Sequence, residues 1–525
     1  MNHNSFRYFY LIIFFLAFTG CSKLLDKQPL DSSSTSNYWT SESDIEKAIT
    51  GCYTYLRDID NDIFLSTTTD DAFCLTTWPI DIPSIGNGSA TTATGAFSTF
   101  WTIFYKGIAA TNNVLDNIDK VTGVDSSTIA NYKAQARFIR AYFYQQLIGF
   151  YGDVPLLTKT PSSDSLDVSK TSKEEIVNFI LSELNEIADD LPTSADLGRV
   201  TKGAALGLKA RVLLYNEQWA DAAAAAKQVM DLGVYSIEQN GFLSIFDGTN
   251  KNSTEIILAA TYSTTANSQK HGVVSWIAPP SLTGWNDMVP LEALADAYEC
   301  TDGKTISESP LYNSSNPYVN RDPRLGYTII LPGAVVNDVT INVTSSTSLD
   351  RIGLGSPSGF YFRKYIPAEI SGDWNDNSGN DEILMRYAEI LLIYAEGKIE
   401  AGDIDQSVYD AINKIRERAD VAMPDVTQEN YSNQTSLRTL VRRERRVELA
   451  LEPFRLFDIR RWKIADSVMN GTAYGIYNYF DASRTDYGSN VKIETRSFNA
   501  SRDYLWAIPQ SEIDINKNLV QNSGW

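Results

Sequence analysis

Histidine is almost absent from this chain. His3 and His271 are the two histidines among 525 residues. Zinc sites usually draw on histidine, and Ser-His or Cys-His nucleophile systems need it as a base. A histidine-based zinc site is therefore nearly excluded. His271 is left as the one candidate base, and its isolation in a polar stretch indicates a structural role.

Other signatures of catalysis are also missing. The sequence contains no G-x-S-x-G elbow. The fragment 302–305 (DGKT) matches the end of a phosphate-binding loop, but Tyr298 stands where that loop needs its first glycine. Glycosidases need two carboxylates, and among 65 acidic residues pairs such as Asp70 and Asp71 arise by chance. The sequence thus predicts a protein that is not an enzyme.

Basic residues are outnumbered. The chain has 45 Lys and Arg against 65 Asp and Glu, a net charge of −20. Such a field disfavours nucleic acid as a partner. The spacing of Asp58, Asp60 and Asp62 starts like a calcium-binding loop, yet Ile63 replaces the glycine and Thr69 the closing glutamate. No metal and no other cofactor is predicted, although loose calcium binding to acidic loops stays open.

Long hydrophobic runs are missing as well. The apolar run from Tyr8 to Phe18 rises about 16 Å as a helix, roughly half of a bilayer core. With Arg7 before it, this segment is typical of a secretory signal. Thr19, Gly20 and Cys21 resemble a lipoprotein cleavage site, although Phe18 stands where leucine is usual. We predict a signal peptide over 1–20 and a lipidated tether over 21–37, with Cys21 acylated. Ordinary cleavage beside an incidental cysteine is the alternative.

Cysteine is scarce: with Cys21 lipidated, Cys52, Cys74 and Cys300 remain. None forms a C-x-x-C pair. Buried free thiols are the favoured interpretation, and a Cys52–Cys74 disulfide stays open for an exported chain.

Amphipathic helices dominate the rest of the chain. Apolar residues at helical spacing predict helices within 98–119, 128–150, 201–233, 385–419 and 436–468. Thr171 and Glu174 predict the cap of another. The segments 201–233 and 385–419 each form a helix pair of about 34 residues that resembles a tetratricopeptide repeat, with a generic helical hairpin as the alternative. The segments 60–97 and 234–384 are rich in polar loop residues, where binding sites tend to lie.

Several stretches together resemble one family. Seven such stretches follow each other in order from Cys21 to Trp525, and the shared order makes the match specific. In that order they resemble the SusD/RagB family of outer-membrane lipoproteins. The stretches are CSKLLDKQPL, AQARFIRAYFYQQLIGFYGDVPLLT, RVTKGAALGLKARVLLY, NDEILMRYAEILLIYAEGKIEAG, NKIRERA, RRERRVELALEPFRLFDIRRW and AIPQSEIDINKNLVQNSGW.

The resemblance implies a fold, a place and a partner. The fold is mostly α: one body over 38–525, a tetratricopeptide-like helical superhelix (mainly 98–233 and 385–468) carrying a loop-rich, minor-β half. The place is the external face of the outer membrane. Ser22 is consistent with this place, because an aspartate directly after the lipidated cysteine usually signals retention on the inner membrane. The partner is a SusC-like TonB-dependent transporter. The ligand is an oligosaccharide, captured without catalysis and delivered to the transporter.

Sugar binding needs flat aromatic faces beside groups that hydrogen-bond hydroxyls. Tryptophans in polar loops are therefore the candidates, while tryptophans on helices are assigned to the core. The resemblance places the family's ligand-binding aromatics in loops comparable to those of Trp78 and Trp285. The predicted ligand-binding residues are Trp78, Asp81, Asn87, Trp276, Trp285, Asn286 and Trp374. For each of the tryptophans, anchoring of a loop is the alternative.

An arginine-rich block needs separate treatment. Arg442, Arg443, Arg445 and Arg446 are interleaved with acidic residues, so we predict structural ion pairs rather than a nucleic-acid surface. Arg445 and Glu448 share a helix face and are the expected pair.

Three alternatives to glycan capture remain open from the sequence. The same transport role with a peptide ligand would depend less on loop aromatics. A surface glycosidase would release product from a bound glycan. A scaffold of tetratricopeptide type would bind only protein.

Overall fold

The computed structural model describes residues 38–77, 80–160, 167–265, 269–368 and 378–525. The predicted mostly helical fold is confirmed, with long helices flanking a segment of short strands and turns. The predicted boundaries of the signal peptide and tether lie outside the described residues and stay predictions. Among the described residues, no helix is long and apolar enough to cross a membrane.

The α-helices of the described residues are numbered in chain order. They are α1 Glu42–Tyr53, α2 Ile59–Asp62, α3 Pro83–Asn87, α4 Gly95–Asn117, α5 Ser126–Tyr151, α6 Lys173–Ile187, α7 Lys202–Tyr215, α8 Trp219–Asp231, α9 Val273–Ile277, α10 Glu292–Ala297, α11 Arg324–Thr328, α12 Tyr387–Ala401, α13 Gln406–Arg416, α14 Gln434–Glu448, α15 Phe454–Arg461, α16 Ala465–Val468 and α17 Gln510–Ile515.

The strands of the described residues form antiparallel pairs. The pairs are β1–β3, β2–β8, β4–β7, β5–β6 and β9–β10. The strands are β1 Ala72–Cys74, β2 Ile256–Ala260, β3 Met288–Pro290, β4 Ile329–Ile330, β5 Val335–Val336, β6 Val339–Thr340, β7 Tyr361–Phe362, β8 Glu382–Arg386, β9 Gly471–Tyr477 and β10 Asn490–Arg496.

The predicted helix pairs form and pack on one another. Helices α7 and α8 make the first pair, α12 and α13 the second, and α8 packs against α12. Gly397 of α12 permits this approach, because an added Cβ would lie 2.7 Å from the carbonyl oxygen of Trp219. Gly402 ends α12 with φ +75°, a conformation that glycine adopts without strain. Small residues thus set the spacing of the helical layer.

The predicted cap of α6 is wrong by one residue. Ser172 and Glu175 form the capping box, instead of Thr171 and Glu174. The Ser172 hydroxyl donates to the Glu175 carboxylate at 2.8 Å. Thr171 is engaged elsewhere, because its N–H donates to the Val154 carbonyl in an isolated β-bridge. Tertiary pairing therefore decided between two adjacent hydroxyl residues.

An aromatic cluster joins the first long helices to the C-terminal segment. The Trp506 ring lies 4.2 Å from the Phe150 ring of α5 and 5.6 Å from the Phe100 ring of α4, centroid to centroid. Phe97 packs on the same indole at 5.3 Å. Rings in such offset contacts contribute about 0.5–1.5 kcal/mol each beyond their burial. The chain terminus is thereby fixed to the helical layer.

A buried network of ion pairs joins the loop-rich segments to the helices. Glu448 at the end of α14 accepts hydrogen bonds from Arg386 (2.7 Å), Arg418 (3.0 Å) and Arg324 (3.0 Å). These guanidinium groups lower the pKa of the Glu448 carboxyl, against the effect of its burial. The carboxylate is thus held charged inside the protein.

The arginine-rich block forms structural ion pairs, as predicted, but with other partners. Arg445 pairs with Asp458 (3.1 Å) and Glu396 (3.4 Å) rather than with Glu448. Arg446 pairs with Asp70 and Asp71. Helix periodicity places residues on a shared face, whereas packing of neighbouring elements decides the partner.

The cysteines and His271 have structural roles. Cys52, Cys74 and Cys300 are free and buried, so the Cys52–Cys74 disulfide alternative is wrong. The His271 Nε2 lies 2.8 Å from the Asn380 carbonyl oxygen. Burial lowers the pKa of His271 to about 4, so the ring is neutral at pH 7.

Candidate functional site

A short antiparallel ladder brings two distant loops together. Strand β1 pairs with β3 in the register Ala72 with Pro290 and Cys74 with Met288. The ladder continues past the strands, because the Leu75 N–H donates to the Asp287 carbonyl at 2.7 Å. The chain that leaves β1 therefore runs beside the chain that enters β3, although they are separated by more than 200 residues.

Trp285 projects from the turn before β3. Its side chain is 47% exposed, and its backbone N–H donates to the Ser275 carbonyl at 2.7 Å. Gly284 precedes it at a very close approach: an added Cβ would lie 2.0 Å from the Ala278 carbonyl oxygen. Only glycine fits there, so the backbone that presents Trp285 is fixed by sterics.

The buried Trp276 packs against the exposed Trp285. The two indoles meet edge to face with 5.0 Å between ring centroids and an interplanar angle of 76°. Trp276 lies on α9 and is buried, and it also contacts Phe64, with 5.8 Å between ring centroids. The exposed indole therefore packs on a buried ring that is itself held by a core phenylalanine, which restricts the rotamers of Trp285.

Polar residues lie directly beside the exposed indole. Asn286 is buried with φ +55°, and its Nδ2 donates to the Gly355 carbonyl. Its Oδ1 has no hydrogen-bond partner among the described residues. Burial raises the pKa of the neighbouring Asp287, while a hydrogen bond with Thr76 opposes that rise. A buried amide and a half-buried carboxyl group thus follow the exposed indole directly in the chain.

The structure brings some of the predicted residues together and leaves others apart. Trp276, Trp285 and Asn286 share the site. Cys21, Trp78 and Trp374 lie outside the described residues, so their roles stay predictions. The remaining two are described by local contacts of their own: the Asn87 Oδ1 accepts from the Ser89 N–H at 2.9 Å, and Asp81 is half-buried with φ +57°.

Exposed leucines flank this site and were not predicted. Leu75 on the first loop is 54% exposed, and Leu354 is 57% exposed in the turn that contains Gly355. The hydrogen bond from Asn286 ties this second turn to Trp285. The candidates predicted from the sequence are aromatic residues in loops and their polar neighbours, so these leucines were not included. The neighbouring sequence does not indicate whether a leucine is exposed.

A separate cleft contains a carboxyl group, that of Glu292, whose pKa is strongly raised. The cleft encloses about 230 Å³ between α10 and β9, and Glu292, Asp296, Tyr474 and Asn490 are among the residues that line it. The Tyr318 hydroxyl donates to Glu292 at 3.0 Å. Burial, with the charge of Asp296, raises the pKa of Glu292 to about 8. Glu292 is therefore mostly protonated at neutral pH and can donate a hydrogen bond.

The acidic segment at α2 is half-buried. Asp62 lies beside Glu382 of β8, and burial raises the pKa of Asp62 to about 6. Burial and Asp62 together raise the pKa of Glu382 well above its ordinary value. Within the described ranges, no group of three or more His, Cys, Asp or Glu side chains is arranged to hold a metal ion.

Comparison with known proteins agrees with this architecture. The family model described as the SusD family matches residues 244–525. A second model, described as "Starch-binding associating with outer membrane", matches residues 23–214. SusD-like protein P2 of Formosa agariphila is 25% identical to the chain, covering 98% of each protein.

Two solved structures from Bacteroides fragilis share the fold. A SusD-like carbohydrate-binding protein is 29% identical with a TM-score of 0.85, covering 92% of this chain and 100% of the other. A second SusD-like protein is 27% identical with a TM-score of 0.82, covering 95% and 100%. Since the matched family model alone spans more than half of the sequence, the chain belongs to the SusD family.

Proposed function

We propose that this protein captures oligosaccharides at the cell surface and delivers them to a SusC-like TonB-dependent transporter, without catalysis. The observation that carries the proposal is the exposed Trp285 indole held on the buried Trp276. A relative described as carbohydrate binding and a family model described as starch-binding support the ligand class.

The physical basis is the amphipathic character of sugars. The C–H face of a sugar ring packs on an indole, and its hydroxyls bond to amides and carboxyls. Trp285 offers the flat face, and Asn286 and Asp287 follow it directly in the chain. Each aromatic contact contributes about 0.5–1.5 kcal/mol beyond burial, so weak binding that permits release is expected.

The anchor and location complete the proposal. Cys21 carries the lipid, and residues 22–37 act as a tether at the outer membrane, facing the cell exterior. The phrase "associating with outer membrane" in the second family description supports this place. A Cys21→Ala variant, expressed in cells with its signal peptide, is expected to leave the membrane fraction. Retention equal to that of the unchanged chain would contradict lipidation at Cys21.

The central experiment is a calorimetric titration of the chain starting at Ser22. Neutral oligosaccharides and peptides are titrated separately, and each sample is then analysed by chromatography for product. Heat from one glycan class, with the glycan recovered intact, is the expected result. Heat from peptides alone would overturn the glycan ligand while leaving the transport role. The absence of binding heat with both ligand classes would favour a scaffold that binds only protein.

One observation favours a second candidate function, a surface glycosidase. Glu292 is protonated at neutral pH, as a general acid must be, and Asp296 lines the same cleft. If the chain hydrolyses glycans, the Glu292→Gln variant will lose that hydrolysis while keeping glycan binding. Intact glycan after prolonged incubation with the unchanged chain would exclude this function for the panel tested.

A further inference from the structure

A cleft in the helical half is lined by more basic than acidic side chains, although the chain as a whole is acidic. It encloses about 430 Å³ and is lined by the ends of α5, α7 and α15 together with the C-terminal segment. None of its lining residues belongs to the ladder that carries Trp285. The basic side chains at its wall are Lys173, Arg460, Arg461 and Lys463.

Arg460 contributes to the wall of this cleft and also to a second, smaller cavity that Asp503 and Trp506 line. It is 7% exposed, and its Nε and Nη1 have no hydrogen-bond partner among the described residues. The guanidinium carbon lies 5.9 Å from the Trp506 ring centroid, which offers a weak cation–π contact but no hydrogen-bond acceptor. A buried guanidinium cannot escape the desolvation penalty by losing its proton, so it requires a counter-charge.

The neighbouring arginine does not share this situation. Arg461 forms an ion pair with Glu396 at 2.6 Å and another with Asp458 at 2.8 Å. Burial lowers the pKa of Arg460, and the charge of Asp503 opposes this effect, but Asp503 already pairs with Arg502. Two adjacent arginines of one helix thus differ. Two carboxylates balance the charge of Arg461, whereas the Arg460 Nε and Nη1 have no hydrogen-bond partner among the described residues.

Two lysines add to the positive charge of the cleft. Burial lowers the pKa of Lys173, and the proximity of Lys463 lowers it further. The Lys463 Nζ lies 4.9 Å from the Tyr504 ring centroid. Among the described residues, the acidic members of the lining are Asp153 and Glu217, and the Asp153 carboxylate already accepts the backbone N–H of Lys173 at 2.8 Å. The lining therefore keeps a positive excess in a chain of charge −20.

We infer that this cleft is a binding site for a small oxyanion, of the carboxylate, sulfate or phosphate type, held by Arg460 with Lys173 and Lys463. A planar guanidinium and two ammonium groups match the charge and the multiple acceptors of such an anion. The volume admits an anion of a few heavy atoms together with its first waters. This site is independent of glycan binding.

The test is thermal unfolding of the chain starting at Ser22, without glycan. Sodium sulfate, sodium phosphate and sodium acetate are each titrated against sodium chloride at equal ionic strength, up to about 10 mM. A rise in Tm that grows with the logarithm of anion concentration above Kd is expected, reaching about 2 °C at concentrations near 100 times Kd. The anion that acts at the lowest concentration identifies the preferred type.

The variants separate a bound anion from a general salt effect. Arg460→Met removes the charge with similar length and is expected to abolish the anion-dependent rise in Tm. Arg460→Lys is expected to keep part of it. Lys120→Met, an exposed lysine outside the cleft, changes net charge equally and should respond as the unchanged chain does.

Stability without the anion gives a further readout. Because an uncompensated buried charge is costly, Arg460→Met should unfold in chloride at the same temperature as the unchanged chain or higher. If that variant does not fold, Lys463→Met serves instead, since Lys463 is exposed, and should raise several-fold the anion concentration that gives a 1 °C rise. The inference is overturned if no anion raises the Tm of the unchanged chain above its value in chloride at equal ionic strength, or if the cleft variants respond as fully as Lys120→Met.

Discussion

The Trp285 indole stands edge to face on the Trp276 indole, with 5.0 Å between their centroids, yet one ring is 47% exposed and the other 5%. The buried ring fixes the orientation of the exposed ring. An aromatic face held in one orientation loses little side-chain entropy when a ligand packs on it. This pair is therefore suited to binding, and its two members should respond differently to mutation.

Trp285→Ala should weaken glycan binding about tenfold while leaving the fold intact, because it removes the exposed face alone. Calorimetric titration with the glycan that binds the unchanged chain measures the loss. Tyr487→Ala is the matched control, since Tyr487 is 52% exposed in the turn between β9 and β10. An equal loss in both variants, or none in Trp285→Ala, would contradict the assigned face.

Gly284→Ala should weaken the same binding although it leaves Trp285 in place. The new Cβ would lie 2.0 Å from the Ala278 carbonyl oxygen, so the turn must move and displace the indole. We expect a loss of stability of about 1–3 kcal/mol and a reduced affinity at temperatures where the chain is folded. Circular dichroism and calorimetry check both effects.

Gly51→Ala is the control for that substitution. Gly51 lies in α1, and an added Cβ there meets no atom within 4 Å. Alanine is the better helix former by about 0.5–1 kcal/mol, so this variant should be slightly stabilised. Full affinity in Gly284→Ala would show that the turn does not set the position of Trp285.

Glu448→Gln should destabilise the protein by about 3–5 kcal/mol, because Arg324, Arg386 and Arg418 would lose a shared buried counter-charge. Denaturant titration measures the change. Asp231→Asn breaks an exposed pair with Lys227 and should cost less than about 0.5 kcal/mol. Similar costs for the two variants would show that the buried network contributes no more than a surface pair.

Glu292→Gln should change how stability depends on pH. The pKa of Glu292 is raised from 4.5 to about 8 in the folded chain, so the folded state retains a proton that the unfolded state releases. Stability of the unchanged chain therefore falls as pH rises from about 5 to 8. Glutamine removes this dependence and should stabilise the chain by about 4 kcal/mol at pH 8, with little effect at pH 4.

Denaturant midpoints at pH 4, 6 and 8 test this expectation, and exposed Glu174→Gln is the matched control. The difference between the unchanged chain and Glu292→Gln should grow steadily with pH. A difference that is constant over this range would mean that Glu292 is ionised in the folded state.

The helical half could be predicted in detail, because its information is local. Apolar spacing predicted helices within 201–233 and 385–419, and the helices found there begin and end within a few residues of those limits. The cap of α6 shows where local information fails. Thr171 and Ser172 both suit a cap, and a bridge to Val154 decides between them.

The candidate site could be predicted only in part. Composition identified polar loops with tryptophans, including Trp276 and Trp285, but gave no means to tell the buried ring from the exposed one. That difference depends on Phe64 and on the β1–β3 ladder, which join segments far apart in the chain. Leu75 and Leu354 were missed for the same reason.

By itself the sequence determined the helix pairs, the membership of a family and the acidic character of the chain, since these depend on periodicity, ordered motifs and counts. The tertiary structure alone decided which arginine meets which carboxylate and which indole reaches solvent. It also decided that Arg460 Nε and Nη1 have no hydrogen-bond partner among the described residues, while Arg461 has two carboxylate partners. Burial and pairing are properties of three-dimensional proximity, and the pattern along one helix does not contain them.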